Sequence, residues 1–300
     1  MPTLLELTSQ GDVGTITDES KLSSVVLMSP QQLYELWEQQ NWQSHAIDLE
    51  RDKRDWHRFT EEERGHIAWT LSSFFIGEER VTTQFSGLVM AYETQGEEAF
   101  LATQQVDEAR HAQHFDRFYE QVVGYDGTFE DRLARAREDV NEAFGVLFDQ
   151  HLVEACDRLV RDPGDIAAKV DFIVTYHMVI EGTLALTGQH YITRFLEQRR
   201  VLPGFVEGFR LISRDEHRHV AYGTWFLKQK CREEALASRA RDKLAELLPV
   251  AASVLVPPGM QLGDSYEILG YSSDEVNQFA FTALWRRLKV IGIGIPAVTA

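Results

Sequence analysis

Two short stretches, VDEARHAQHF from Val106 and ISRDEHRHVA from Ile212, each place a glutamate three residues before a histidine. Residues three and four apart share one face of a helix. Glu108 and His111 therefore point the same way, with Phe115 continuing their face. Glu216 and His219 do the same, continued by Gly223. Two more glutamates stand in apolar runs. Glu78 shares a face with Phe74, Val81, Phe85 and Val89. Glu181 lies among Ile173, Val174, Val179, Ile180, Leu184 and Leu186, with His177 one turn back.

A carboxylate on an apolar face needs a partner, because burying an unpaired charge costs several kcal/mol at least. Four would be prohibitive without cations. Four glutamates and two neutral histidines carry a charge near -4, which two divalent ions would offset. Hard oxygen donors with one imidazole per ion suit iron or manganese better than copper or structural zinc. One Glu from each of two helices, with Glu-x-x-His from each of two others, is the known donor pattern of carboxylate-bridged dimetal bundles. The expected ligands are Glu78, Glu108, His111, Glu181, Glu216 and His219. Asp107 and Asp215 are placed to accept from the outer ring nitrogen of the histidine on the opposite helix, which would fix its tautomer. Arg110 and Arg218 would pair with these or neighbouring carboxylates. Glu79 points about 100° from Glu78 on a regular helix and is not expected to ligate.

These residues need long helices to position them. Thr60-Glu61-Glu62-Glu63 is a capping-box pattern that opens a helix expected to reach Gly96. Further helices are expected over about 97–123, 129–159, 165–199 and 204–230, with breakers between them. A shorter helix opens near Ser29-Pro30. Two more follow, REEALASRARDKLAELL and SDEVNQFAFTALWRRL. The first ligand pair is separated by 30 residues (78 to 108) and the second by 35 (181 to 216). Each interval suits an antiparallel helix pair with a short turn. The expectation is one all-α domain over 1–300. Its metal-binding core lies at about 60–230 and its accessory helices at about 231–300.

The chain has 300 residues, 47 acidic against 30 basic, and a formal charge of -17. That disfavours a nucleic-acid groove, which needs positive potential. Hydrophobic residues at 44% are enough for a sizeable core. Cys156 and Cys231 have no metal or redox spacing and read as free thiols of a reducing, cytoplasmic compartment. No long apolar run is expected to span a bilayer, and no signal-peptide pattern opens the sequence. The apolar end VIGIGIPAVTA is expected to pack on the body of the protein or on a partner.

The stretches GEERVTTQF, DEARHAQHF, YHMVIEGTLALTG and RDEHRHVAYGTW resemble the R2-like ligand-binding oxidases, relatives of the ribonucleotide reductase small subunit. The resemblance covers about 56–227 well and the C-terminal helices loosely. It implies a ferritin-like helical bundle, often a homodimer, with additional helices around a four-helix dimetal core. It implies manganese at Glu78, Glu108 and His111, and iron at Glu181, Glu216 and His219. The residues themselves leave manganese–iron and di-iron open. The resemblance further implies a long-chain fatty acid at the metals, dioxygen as co-substrate and a tyrosine–valine ether crosslink. By position these residues are Val81 and Tyr176. From spacing alone, Val81 lies one turn from Glu78 and reads as core. Tyr176 stands five residues before Glu181, about 140° away on a regular α-helix.

Phe74, Phe75, Phe85 and Phe115 would give an oxidising site poorly nucleophilic walls and point to an apolar substrate. Other readings on this scaffold are a radical-generating reductase subunit, an acyl desaturase or N-oxygenase, a ferritin-type metal store, and a ligand sensor without turnover. In the reductase subunit the first ligand is usually Asp, and a tyrosine usually stands where Phe115 does. The substrate and the electron donor are not encoded legibly.

Overall fold

The computed structural model describes residues 22 and 24–294; residues 295–300 of the apolar chain end lie outside the described residues. Helix α1 (Pro30–Gln39) starts with proline in its first turn and a Ser29–Gln32 capping box, so its free N–H groups are satisfied where the chain enters. Helix α2 (Glu50–Trp56) follows. Helix α3 (Glu61–Gln84) opens on the Thr60–Glu63 capping box. It stops short of Gly96. The chain bends at Phe85 into the short α4 (Ser86–Met90). A Cβ at Gly87 would lie 2.9 Å from Cys156 Sγ, so the bend presses backbone against backbone there.

Helix α5 (Gln95–Phe118) runs on into a π turn, Tyr119–Val123, and ends at left-handed Gly124. The expected helix over 129–159 is broken. It consists of α6 (Phe129–Ala136), α7 (Glu142–Gly145) with the π turn Val146–His151, and α8 (Leu152–Arg161). Asn141 makes the break. Its side chain caps Phe144 N at 3.0 Å and donates to Val256 O at 2.9 Å. This side-chain competition with the helix favours a fresh start.

Helix α9 (Ile166–Ile173) passes into twelve π-helical residues, Val174–Ala185, and then α10 (Leu186–Arg199). By length and composition Ile166–Arg199 is apolar enough to cross a membrane, but 89% of its most apolar window is buried within the protein. It is the central helix of the bundle. Helix α11 (Pro203–Lys230) starts where the buried Asp52 carboxylate takes Gly204 N at 3.0 Å and Phe205 N at 2.6 Å. Helix α12 (Glu234–Val254) continues past Pro249, and its last turn buries Ala251 and Val254. A two-residue hairpin joins β1 (Glu267–Ile268) to β2 (Tyr271–Ser272), and α13 (Ser273–Ile291) follows.

The four site-bearing helical segments are α3, α5, the π segment and α11. One continuous core extends from Leu33 to Ile293 and encloses them. The architecture is a ferritin-like all-α bundle with added helices. Cys156 is buried, Cys231 half-buried, and neither is in a disulfide.

Candidate metal centre

Glu78 projects from α3, Glu108 and His111 from α5, Glu181 from the π segment, and Glu216 and His219 from α11. None is more than 6% exposed. The structure gathers them into two overlapping groups. Donor atoms of Glu78, Glu108, His111 and Glu216 lie within 4.8 Å of one another, as do those of Glu108, Glu181, Glu216 and His219. Glu108 and Glu216 belong to both groups, which spacing along the chain did not reveal. Across the centre, His111 Nδ1 is 3.3 Å from Glu78 and 3.4 Å from Glu216. His219 Nδ1 is 2.9 Å from Glu108 and 3.0 Å from Glu181.

The outer nitrogens are held as the sequence suggested. His111 Nε2 meets Asp215 at 3.3 Å, and His219 Nε2 meets Asp107 at 3.1 Å. Both Nδ1 atoms are thereby aimed inward. Arg218 donates to Asp107 at 3.0 Å and Asp215 at 2.6 Å, while Arg110 pairs with both aspartates. Two aspartates and two arginines make this outer layer neutral. The four glutamates face the two histidines instead. Trp37 Nε1 donates to Asp107 at 2.8 Å, and Trp42 Nε1 to Asp215 at 2.6 Å. Sequence reasoning missed both indoles, because they come from or near α1, far along the chain from either motif. Glu79 stays out of both groups, half-buried, with Thr83 as its neighbour.

The electrostatics state the same need for cations. Burial drives Glu78 well above the ordinary carboxylate range against the pull of His111. Burial and the Glu216 carboxylate do the same to Glu181. Burial opposes charge on His111 and His219, yet the surrounding carboxylates outweigh it and raise both well above an ordinary histidine. Glu108 is held down to about 2 despite its burial, because His219 and His111 face it. Carboxylates pushed toward the neutral form beside imidazoles pushed toward the charged form mark a cluster short of cations. Glu181 Oε2 and Glu216 Oε2 are buried with no hydrogen-bond partner. Bare carboxylate oxygens beside inward-facing imidazole nitrogens fit two divalent ions.

Tyr176 joins this cluster. Its hydroxyl donates 2.5 Å to Glu108 and also bonds Glu181. The 140° offset expected of a regular α-helix disappears because this segment is π-helical, and i→i+5 winding brings residues five apart back onto one side. Burial, then Glu108 and Glu181, hold the phenol well above its usual pKa, so it stays protonated. Gln104, missed from sequence, donates 3.1 Å to Tyr176 and lies 3.2 Å from His177. Burial keeps His177 neutral. It packs so tightly on α11 that a Cβ at Gly223 would lie 2.3 Å from its own Cβ.

A cavity of about 140 Å³ adjoins the centre, lined by Glu78, Val81, Glu108, Tyr176, Glu181 and Glu216 at one end and by apolar groups beyond. Of the four expected phenylalanines, only Phe74 lines it. Phe85 packs on Tyr176 at 5.4 Å, and Phe115 stacks behind Phe74 at 5.8 Å. Phe75 turns away to Tyr119 and Phe129. Phe144 and Phe148 take its place in the wall. The break at 137–141 that positions them was invisible in the helical period.

Fold and cluster together define a ferritin-like helical protein with a buried carboxylate–histidine site suited to two metal ions. The chain belongs to the ribonucleotide reductase small chain family, whose model matches residues 28–293. Among solved structures, its fold is similar to an R2-like ligand-binding oxidase with aerobically reconstituted Mn/Fe cofactor, at 22% identity and TM-score 0.75 over 93% of this chain and 98% of that one. A point variant of an R2-like ligand-binding oxidase, also with aerobically reconstituted Mn/Fe cofactor, matches at 24% identity and TM-score 0.75, over 89% and 97%. The R2-like ligand-binding oxidase from Sulfolobus acidocaldarius matches at 22% identity and TM-score 0.72, over 89% and 92%.

Proposed function

We propose that this protein is a dimetal oxidase that activates dioxygen beside a bound long-chain fatty acid or similar amphiphile. Glu78, Glu108 and His111 would hold manganese, and Glu181, Glu216 and His219 iron. Glu108 and Glu216, common to both donor groups, would be shared between the two ions. When bound, the metals would supply the redox chemistry with dioxygen. The chain holds the donors, fixes both imidazole tautomers through Asp107 and Asp215, and lines the cavity with apolar groups that exclude water.

One observation carries the reading further: the Tyr176 hydroxyl sits on Glu108 and Glu181, and Val81 lines the same cavity. A Val81–Tyr176 ether follows from a two-electron oxidation. Val81 Cβ and the Tyr176 hydroxyl each lose one hydrogen, a C–O bond forms, and dioxygen takes up both electrons and both protons as hydrogen peroxide. Glu108 and Glu181 are the nearest acceptors for the phenolic proton. The apolar cavity supports an acyl chain as ligand, with its carboxylate toward the glutamates.

Peptide mass spectrometry tests this. Protein loaded anaerobically with manganese and iron and then exposed to air should yield joined peptides containing Val81 and Tyr176, lighter by two hydrogens. Tyr176→Phe should bind both metals and yield none. Separate peptides from fully loaded, air-exposed wild type would refute the crosslink and favour a radical-generating subunit, whose oxidising equivalent leaves for a partner.

A further inference from the structure

The geometry points to Leu269, at the tip of the β1–β2 hairpin, as the residue that limits the length of the apolar ligand. The inference rests on the reading above that the cavity holds an acyl chain. The cavity runs along the bundle away from the glutamates. Glu181 and Tyr191 both line it, as do Glu78 and Trp69. At helical rise these intervals of ten and nine residues are roughly 12–15 Å. Ile268 and Leu269 of the hairpin line it too.

The hairpin backbone is unusual. Ile268 pairs with Tyr271, so the loop is only Leu269-Gly270. Both are left-handed, with φ of 52° and 83°. A two-residue loop with positive φ at both positions favours Asn-Gly, Asp-Gly or Gly-Gly. Gly270 fits that demand and Leu269 does not, because a branched side chain is disfavoured there. Strain of this kind persists only where the surroundings over-determine it, and such sites cluster at ligand clamps.

The surroundings do so here. Tyr271 packs on Tyr191 at 4.7 Å, with the Arg194 guanidinium 5.7 Å over its ring. Tyr191 donates to Glu275 O at 2.9 Å, and Tyr266 to Leu255 O at 3.0 Å. The hairpin is thus held on α10 through Tyr271, and the residue before it is tied to the end of α12 through Tyr266, with a strained leucine kept against the cavity. Val254 and Val276 line the cavity from regular helices and carry no such strain. An apolar wall explains why leucine occupies a position that suits asparagine or glycine.

The separating experiment is Leu269→Gly and Leu269→Asn in the full-length protein. Acyl ligands retained through purification are extracted and measured by mass spectrometry, and thermal stability is followed in parallel. Both variants relieve the backbone while giving up the leucine's packing, so a cooperative melt near the wild-type Tm shows that they are folded. Removing the wall in Leu269→Gly should shift the retained acyl chains to greater length, since each further buried methylene favours retention about fourfold. Leu262→Gly, at an exposed position outside the cavity, should leave the distribution unchanged. An unchanged distribution in a folded Leu269→Gly that still carries acyl chains would overturn the ruler while leaving the oxidase reading intact. A wild-type protein that neither retains nor takes up a long-chain fatty acid would remove the acyl-chain reading, and the ruler with it.

Discussion

Loading the centre with metal should expel more protons than the same residues would release in water. In the metal-free protein, burial pushes Glu78 and Glu181 toward the protonated form, and the carboxylates around them push His111 and His219 the same way. Each is aimed at the space between the two donor groups. A bound cation needs each glutamate ionised and each imidazole neutral. Each raised group adds to the protons released when both positions fill at pH 7. The same residues at ordinary pKa values would release only about half a proton in total, from the histidines. Anaerobic calorimetric titration with manganese(II) or iron(II), in buffers of different ionisation enthalpy, reads the count directly. Glu181→Gln should lower it. Release of no more than about half a proton would refute the reasoning, because the four groups would then titrate as they do in water.

The same four groups set the pH response of the metal-free protein. Their folded pKa values are all raised, so the folded state binds more protons than the unfolded one, and stability falls as pH climbs from about 5 toward the raised values. The Tm of metal-free protein should drop across pH 5–9 while that of loaded protein changes much less; a flat metal-free profile would contradict the protonation pattern. Asp107→Asn removes the acceptor that fixes the His219 ring, and affinity for iron(II) should weaken about 10–100-fold, as measured by anaerobic competition with a chelator; unchanged affinity would show the aspartate idle. Gly223→Ala forces a methyl to 2.3 Å from His177 Cβ and should cost about 1–3 kcal/mol by overpacking, read by denaturant unfolding. A neutral result would mean that the contact between α11 and the π segment yields easily.

The six residues of the cluster were legible in the sequence because they violate a strong rule. Glu78 and Glu181 stand where helical periodicity puts apolar groups, and Glu108–His111 and Glu216–His219 repeat a spacing that only a shared face explains. The capping boxes and the Gly and Pro breakers likewise marked most helix starts, since those signals act within a few residues. Asn141 was such a local signal and would have revealed the break at 137–141.

What chain order could not contain was set by packing across distance. Glu108 and Glu216 serve both halves of the cluster because α5 and α11 face each other across it. Trp37 and Trp42 reach Asp107 and Asp215 from an element some seventy residues or more away along the chain. Tyr176 meets Glu181 because the segment winds as a π-helix. Nothing in VTYHMVIEGTLA announces that winding, and it persists where neighbours satisfy the altered backbone, as Arg287 does by donating to Gly182 O. The residue types and their helical phase were therefore local information. Which helices face one another, which carboxylates are shared and which side chains wall the cavity were decided by tertiary packing alone, because each depends on contacts between segments that sequence spacing does not relate.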